Sequence, residues 1–336
     1  MNIAENYLLG MDLGTTNVKA IIMDENGNVI ATASRANSLI VPSPNTAEQD
    51  ANVWWQNTVE ILKEVTHKAG YELVKKIKGI SVSSQTVTML PVDENGTPLR
   101  NAIIWMDGRS EKQLQYIIDQ IGFDRYVSII GGQPDTGFLP NKILWFKENE
   151  PELFSKTYKI LQASSYINYK LTGKMTMDID QAGKSQCLDI STLQWSDEIS
   201  RVIGADLNQL LPKPQAITDI IGTVSEEAAA ITGLVSGIPV VAGASDAIAS
   251  MYAIGLSRIG NAGESSGTSS LVFAGSTTKT SPELPLVAKP CTIGEIPYIF
   301  DAPISASGAS LKWYLDTLGQ TEKITRRQII SMSLNI

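Results

Sequence analysis

The sequence predicts an α/β protein built on a mixed sheet and divided into two domains. Three observations predict it. The chain opens on strand-like runs that give way to an amphipathic helix and a returning strand. Its 336 residues exceed what one small core holds. A turn made of a polar residue, Gly, Thr and a further hydroxyl residue, followed by an apolar strand, occurs at the start and again after residue 260.

The elements follow in order. "YLLGMDLGTTNVKAIIMDENGNVIATASR" holds three strand-like runs separated by "GTT" and by "ENGN", and Asn-Gly is a strong hairpin signal. After the Pro-containing loop "IVPSPNTAEQD", residues 51 to 69 carry apolar side chains at helical spacing, with Asp50 suited to the N-cap. "IKGISVSSQTVTMLPVDENGTPLRNAIIWMDGRS" reads as two short strands around another "ENG" turn. From "SEKQLQYIIDQIG" to "LTGK" the pattern is mainly helical, split at Pro151. A further helix, "SEEAAAITG", precedes the strand "GIPVVAGASD" and the helix-like "AIASMYAIG". The pattern restarts there, placing a boundary within residues 243–247 and dividing the chain into 1–244 and 245–336.

Composition excludes several classes of function. The chain is 43% hydrophobic and 18% charged, and its net charge of -8 argues against a general nucleic-acid or anionic-membrane surface. A local phosphate site needs only local donors and stays open. The N-terminus shows no basic region followed by a long apolar run, and the most apolar later stretch is broken by Gly, Ser and Asp, so a cytoplasmic protein is expected. Cys187 and Cys291 stand far apart without a Cys-x-x-Cys pattern, which disfavours a disulfide or zinc framework. The single histidine, His67, falls near the end of the 51–69 helix, where it suits the helix dipole better than catalysis.

"LGMDLGTTNVK" carries the first functional signal. A tight strand-to-strand turn of Gly14, Thr15 and Thr16 offers N–H groups and hydroxyls to phosphate oxygens. Asp12 beside it would repel a phosphate unless a divalent cation lies between them. Asp12 is therefore a candidate Mg2+ ligand, and Gly14, Thr15, Thr16 and Lys19 are candidate nucleotide contacts, with an ordinary hairpin as the competing reading. The second such loop, "SSGTSS", suggests a duplicated fold with a nucleotide held between two lobes. Other phosphate motifs are absent. "NYKLTGKM" has Asn where a P-loop begins with Gly and Met where it ends in Ser or Thr; no Gly-x-Gly-x-x-Gly opens a helix; and the lone His67 is followed by Lys68.

Seven blocks carry a resemblance: "MDLGTTNVKAIIMDENG", "GISVSSQTVTMLPVDENGTPL", "AIIWMDGRS", "KILWFKENEPELF", "YINYKLTG", "PVVAGASDAIAS" and "SSGTSSLVFAG". In order and spacing the chain resembles the FGGY family of carbohydrate kinases, most of all its xylulokinases and gluconokinases. The resemblance implies an actin-like (ribonuclease H-like) duplicated fold with ATP and sugar between two lobes. By that resemblance, residues 1–244 are the N-terminal lobe, with sugar site and first phosphate loop, and 245–336 begin a C-terminal lobe that is incomplete. It makes Asp12 the organiser of Mg2+, places Gly267, Thr268 and Ser269 in the second phosphate loop, and puts Asp246 at the catalytic base. A helix N-cap is the alternative reading of Asp246.

Gln85, Trp105, Asp107 and Arg109 match positions at or near the sugar cleft, with Thr86 beside them. Asp107 and Arg109 are candidates to bond sugar hydroxyls, with an i, i+2 ion pair holding the loop as the rival role, and Trp105 is a candidate to stack on a sugar face, with a place in the core as its rival. Thr86 and Val87 stand where xylulokinases carry Met-His, and Ala247 stands where they carry Asn, so the hydroxyl pattern read here differs. The implied reaction is ATP-dependent phosphorylation of a small carbohydrate such as xylulose or gluconate. A non-catalytic sugar-binding module derived from such a kinase is the alternative. Family members run further and carry a Gly-rich adenosine loop, which makes this sequence an expected fragment of a longer kinase. Sugar and ATP are the expected partners, without nucleic acid or membrane; a homodimer is a further expectation, and a hinge is expected near Gly243.

Overall fold

The computed structural model describes residues 5–266, 270–278, 289–293, 295–304 and 307–319. Strands β1 (Tyr7–Leu13), β2 (Asn17–Asp24) and β3 (Val29–Ala36) form the expected antiparallel meander. The "ENGN" turn closes as the sequence predicts: Asp24 Oδ1 accepts the N–H groups of Asn26 and Asn28 at 2.9 and 2.8 Å, and Gly27 takes a φ of 83°.

On the other side of β1 lies the strand Ile77–Ser84, parallel to it; the strand Pro239–Val241 and the two-residue strand Ala244–Ser245 both pair parallel with Ile77–Ser84. Ile220–Thr223 closes the far edge antiparallel to Pro239–Val241, giving a seven-stranded mixed sheet. The predicted single strand "GIPVVAGASD" is thus two, broken at Gly243, whose φ is 80°. A Cβ there would meet the Val82 carbonyl oxygen at 2.2 Å, so Gly243 is required for the close approach of the two backbones.

Alternation along β1 buries Tyr7, Leu9, Met11 and Leu13 and leaves Gly10 and Asp12 on the opposite face. Helix α1 (Ala51–Ala69) covers β2 and β3 with Trp54, Ile61, Leu62 and Val65. Asp50 caps it by accepting the Asn52 N–H at 2.8 Å, and the exposed His67 lies in its last turn. A second core, around Tyr126, Phe146 and Trp195, joins the helices Glu111–Ile121, Phe123–Ile130, Leu139–Asn149 and Asp197–Ile203. Pro151 starts the new helix Pro151–Ser155, as its missing N–H favours.

Past the helix Asp246–Ala253 a four-stranded antiparallel sheet runs in the order Ala262–Ser266, Ser270–Ser276, Ile296–Ile304, Lys289–Ile293. Its described core is small: Ala244, Ile248, Met251, Leu256, Phe273, Ile296 and Ile299.

Candidate active site

Three strands determine where the site lies. β1, Ile77–Ser84 and Ala244–Ser245 are mutually parallel, so their carboxyl ends share one edge of the sheet. Open α/β sheets bind ligands in the crevice beyond such an edge. Asp12 pairs with Ser83 from one side and Ala244 pairs with Ser83 from the other. The backbones of Asp12 and of Ala244, two residues before Asp246, are therefore two strand spacings apart, roughly 10 Å.

At the end of β1, Asp12 Oδ1 accepts the Ser83 hydroxyl at 2.9 Å. The following turn is held by Gly14 N–H to Asn17 carbonyl at 3.0 Å, Asn37 Nδ2 to Gly14 carbonyl at 2.8 Å, and Asn37 N–H to Thr16 carbonyl at 2.8 Å. These bonds tie back the turn's carbonyls, which favours an anion on its other side. Thr16 and Lys19 are exposed, and Lys19 lies directly across from Asp12 in the β1–β2 register.

Thr15 joins this turn to a chain of amides. Its hydroxyl accepts the Trp105 indole N–H at 3.0 Å and donates to Gln85 Oε1 at 3.1 Å. Gln85 Nε2 donates to Gln49 Oε1 at 2.7 Å, which also accepts the Trp54 indole N–H at 3.2 Å, while Gln49 Nε2 donates to the Thr15 carbonyl at 2.7 Å. Gln85 and Gln49 are buried and Trp105 is half exposed. Trp105 therefore stands at the opening, its ring available to a flat apolar face and its N–H already committed. Thr86 is half-buried beside Gln85.

Gln49 escapes a reading of the sequence. It sits in the polar string "TAEQD", which signals a loop before a helix cap. Only the return of α1 over the meander brings it under Thr15 and Gln85.

Asp107 and Arg109 form the i, i+2 ion pair that rivals a direct sugar contact. Asp107 is 1% exposed; its Oδ1 accepts the Arg109 N–H and Nε at 3.0 and 2.8 Å, and its Oδ2 accepts Arg109 Nη2 and the Ala47 N–H at 2.8 and 2.6 Å. Arg109 Nη2 also meets Glu48 at 2.7 Å, and the guanidinium lies over the Trp145 ring. Burial works against the Arg109 charge, but Asp107 and Glu48 outweigh it and keep the guanidinium above its ordinary value. Arg100 joins the group by pairing with Glu48 and Glu150. In this arrangement the pair holds the loop on which Trp105 is carried.

Asp246 is the first residue of its helix; the N-cap is Ser245, whose hydroxyl accepts the Ile248 N–H at 3.4 Å. Asp246 is thus not the N-cap; its Oδ1 accepts the Ala247 N–H at 2.7 Å, and its side chain is exposed. Its carboxyl lies above the ordinary carboxylate value, chiefly because surrounding protein desolvates it; Asp12 and Asp180 add like charge, while the Ala247 N–H and Lys184 pull the other way.

Behind it the helix Ile179–Lys184 grips Ser245 at two points. Asp180 Oδ2 accepts the Ser245 N–H at 2.9 Å, Lys184 Nζ donates to the Ser245 hydroxyl at 2.5 Å, and Lys184 and Asp180 pair at 3.0 Å, both buried. Asp178 caps this helix through the Gln181 N–H, and burial together with Asp180 raises its carboxyl well above the ordinary range.

The structure thus brings Asp12, Gly14, Thr15, Thr16, Gln85, Trp105 and Asp246 to one edge. Gly267, Thr268 and Ser269 lie outside the described residues. Among the described residues no three His, Cys, Asp or Glu side chains cluster as a metal cage, and no helix is long and apolar enough to cross a membrane.

Comparison with known proteins agrees with this arrangement. Residues 7–253 match the N-terminal domain of the FGGY family of carbohydrate kinases. The chain is 33% identical over 314 residues to a xylulose kinase of Lactococcus lactis, covering 94% of this chain and 62% of that protein. Among solved structures, a xylulose kinase from Rhodospirillum rubrum superposes with a TM-score of 0.89 at 26% identity, over 98% of this chain and 67% of that one. A gluconate kinase from Lactobacillus acidophilus gives 0.82 at 25% identity, over 93% of this chain and 62% of that one. The chain therefore spans a little over three fifths of the length of these relatives, within the actin-like fold they share. On this match, and on the edge that gathers Asp12, Gln85 and Asp246, the chain belongs to the FGGY family of carbohydrate kinases.

Proposed function

We propose that this chain is the major part of an ATP-dependent kinase that phosphorylates a hydroxyl of a small carbohydrate, of the class of xylulose, gluconate or a related polyol. One observation carries the reading: a phosphate-type turn, a buried amide network and an exposed carboxylate converge on the shared carboxyl edge of three parallel strands.

The sugar lies against Gln85, Thr86 and Trp105, the indole ring facing an apolar sugar face. Asp107 and Arg109 hold that wall in place. The Asp246 carboxylate accepts the proton of the attacking hydroxyl. The sugar oxygen then bonds to the γ-phosphorus, and the bond from that phosphorus to the bridging oxygen breaks with its electron pair leaving on ADP. Gly14, Thr15, Thr16 and Lys19 meet phosphate oxygens, and Gly267, Thr268 and Ser269 serve as the second phosphate loop.

The donors near the phosphates suit Mg2+. Asp12 and the Ser83 hydroxyl are hard oxygen groups, and the ion usually takes one or two carboxylates with phosphates and water rather than a protein cage. Bound there through Asp12, Mg2+ would neutralise charge developing on the β- and γ-phosphates.

The test is a coupled ADP-release assay on the full-length protein with D-xylulose, D-gluconate, glycerol and related polyols. Sugar-dependent ADP release with at least one supports the reading. Tight sugar binding by calorimetry without ADP release would favour a non-catalytic sugar-binding module, and neither response would overturn both.

A further inference from the structure

Lys142 is a fully buried lysine in the helix Leu139–Asn149. Its Nζ donates to two backbone carbonyls, Val87 at 2.9 Å and Ile104 at 2.8 Å. A buried ionisable group is costly in such a place, so its retention calls for a reason beyond packing.

The two carbonyls belong to two different loops of the candidate sugar wall. Val87 follows Gln85 and Thr86 and has a φ of 58°, a left-handed conformation that a β-branched residue adopts only where its surroundings hold it there. Ile104 opens the turn that carries Trp105: its carbonyl also accepts the Asp107 N–H at 3.1 Å, and Trp105 and Met106 stand exposed at the tip. Farther from the wall the loops meet through reciprocal bonds between Met89 and Ile103. Nearer to it, Lys142 spans them.

We propose that Lys142 is a positioning residue that fixes the Gln85–Val87 and Ile104–Asp107 loops against each other and so sets the sugar-reading geometry of Gln85, Thr86 and Trp105. The inference rests on the reading of those three residues as the sugar wall. Two carbonyl acceptors match the two N–H groups of an uncharged amine, so the clamp holds in either protonation state. The protein's own balance agrees: burial lowers Lys142 to about 7, with Asp107 and Asp135 opposing and Arg109 reinforcing the shift.

The test uses the full-length protein and two substitutions of unbranched shape. Lys142→Met keeps apolar packing and removes both donors; Lys142→Gln keeps two N–H donors on a polar head. Hydrogen exchange is followed over residues 85–89 and 103–108, with α1 as the internal control, together with calorimetric titration of D-xylulose and D-gluconate. The expected result for Lys142→Met is exchange at least tenfold faster in both loops with α1 unchanged, and sugar affinity at least tenfold weaker. Lys142→Gln retains more of the affinity than Lys142→Met.

The reverse order, with Met superior to Gln in loop protection, would assign Lys142 to packing and overturn the proposal. Should neither variant fold, the unmodified protein decides: the two loops must open together under increasing denaturant, and separate opening overturns the clamp. If the unmodified protein binds no sugar, the kinase reading fails while the exchange comparison still judges the clamp.

Discussion

Asp246 concentrates the chemistry of the proposed reaction in one carboxylate. It is exposed, it leaves the N-cap to Ser245, and its carboxyl is raised above the ordinary value of 3.8. As a base it works ionised, so the acid limb of kcat/KM should lie above that value. A carboxyl raised on folding holds its proton more tightly in the native state. Acidification through that window therefore favours the fold as far as this group is concerned, and the loss of rate there is not unfolding. Asp246→Asn in the full-length enzyme should lower kcat by about 10²- to 10⁴-fold with sugar binding retained. A variant that keeps most of its rate would remove Asp246 from the role of base. At this scale the sequence is readable where chemistry is local: Asp12 beside a Gly-Thr-Thr turn is an anomaly visible in eleven residues. Gln49 and Lys142 are unreadable because their meaning is a contact across 36 and 55 residues, with Gln85 and Val87 respectively. Nothing in "TAEQD" or "NKILWF" announces either contact.

Among the elements, the short helix Ile179–Lys184 matters more than its length suggests. Its Asp180 and Lys184 form a buried pair and together hold the backbone N–H and the hydroxyl of Ser245, one residue before Asp246. Breaking a buried pair leaves an uncompensated charge, which costs about 3 to 5 kcal/mol. Lys184→Met should therefore lower stability by that order in urea unfolding, and adding Asp180→Asn should recover a large part of it. A double variant as unstable as the single would show that the charge pairing is not what matters. Strands and helices here were largely legible: the meander, α1 with its Asp50 cap and the break at Pro151 all follow from local pattern. The exception is instructive. "GIPVVAGASD" reads as one strand, yet the left-handed Gly243 divides it, because the chain there presses on Val82 too closely for any side chain.

At the scale of the whole molecule the cores formed by the described residues are unequal. Two large clusters support the first sheet and the helices beside it, whereas the four-stranded sheet rests on seven described core residues. After that sheet in the chain the helix Gly308–Thr317 leaves Leu311, Trp313 and Tyr314 exposed. Local opening follows the amount of buried apolar contact. Amides of Ser270–Ser276 and Ile296–Ile304 in this 336-residue chain should exchange at least tenfold faster than those of β1 and Ile77–Ser84. Equal protection would mean that the small core is as cooperative as the large ones. The mixed α/β class was legible from the order of strands and helices. Inequality between cores was not, since it depends on which apolar faces meet.

The alternation in β1 has a consequence for which changes in chain length the molecule tolerates. Asp12 stays off the core face only because it lies an odd number of residues from the buried Leu9, Met11 and Leu13. A residue inserted between Leu9 and Asp12 would turn the carboxylate onto the core face, whereas one inserted at the Asn26–Gly27 turn would lengthen a surface loop. Homologous chains are therefore free to differ in length at that hairpin and bound to keep count along β1. The parity of one strand works as a reading frame for the site.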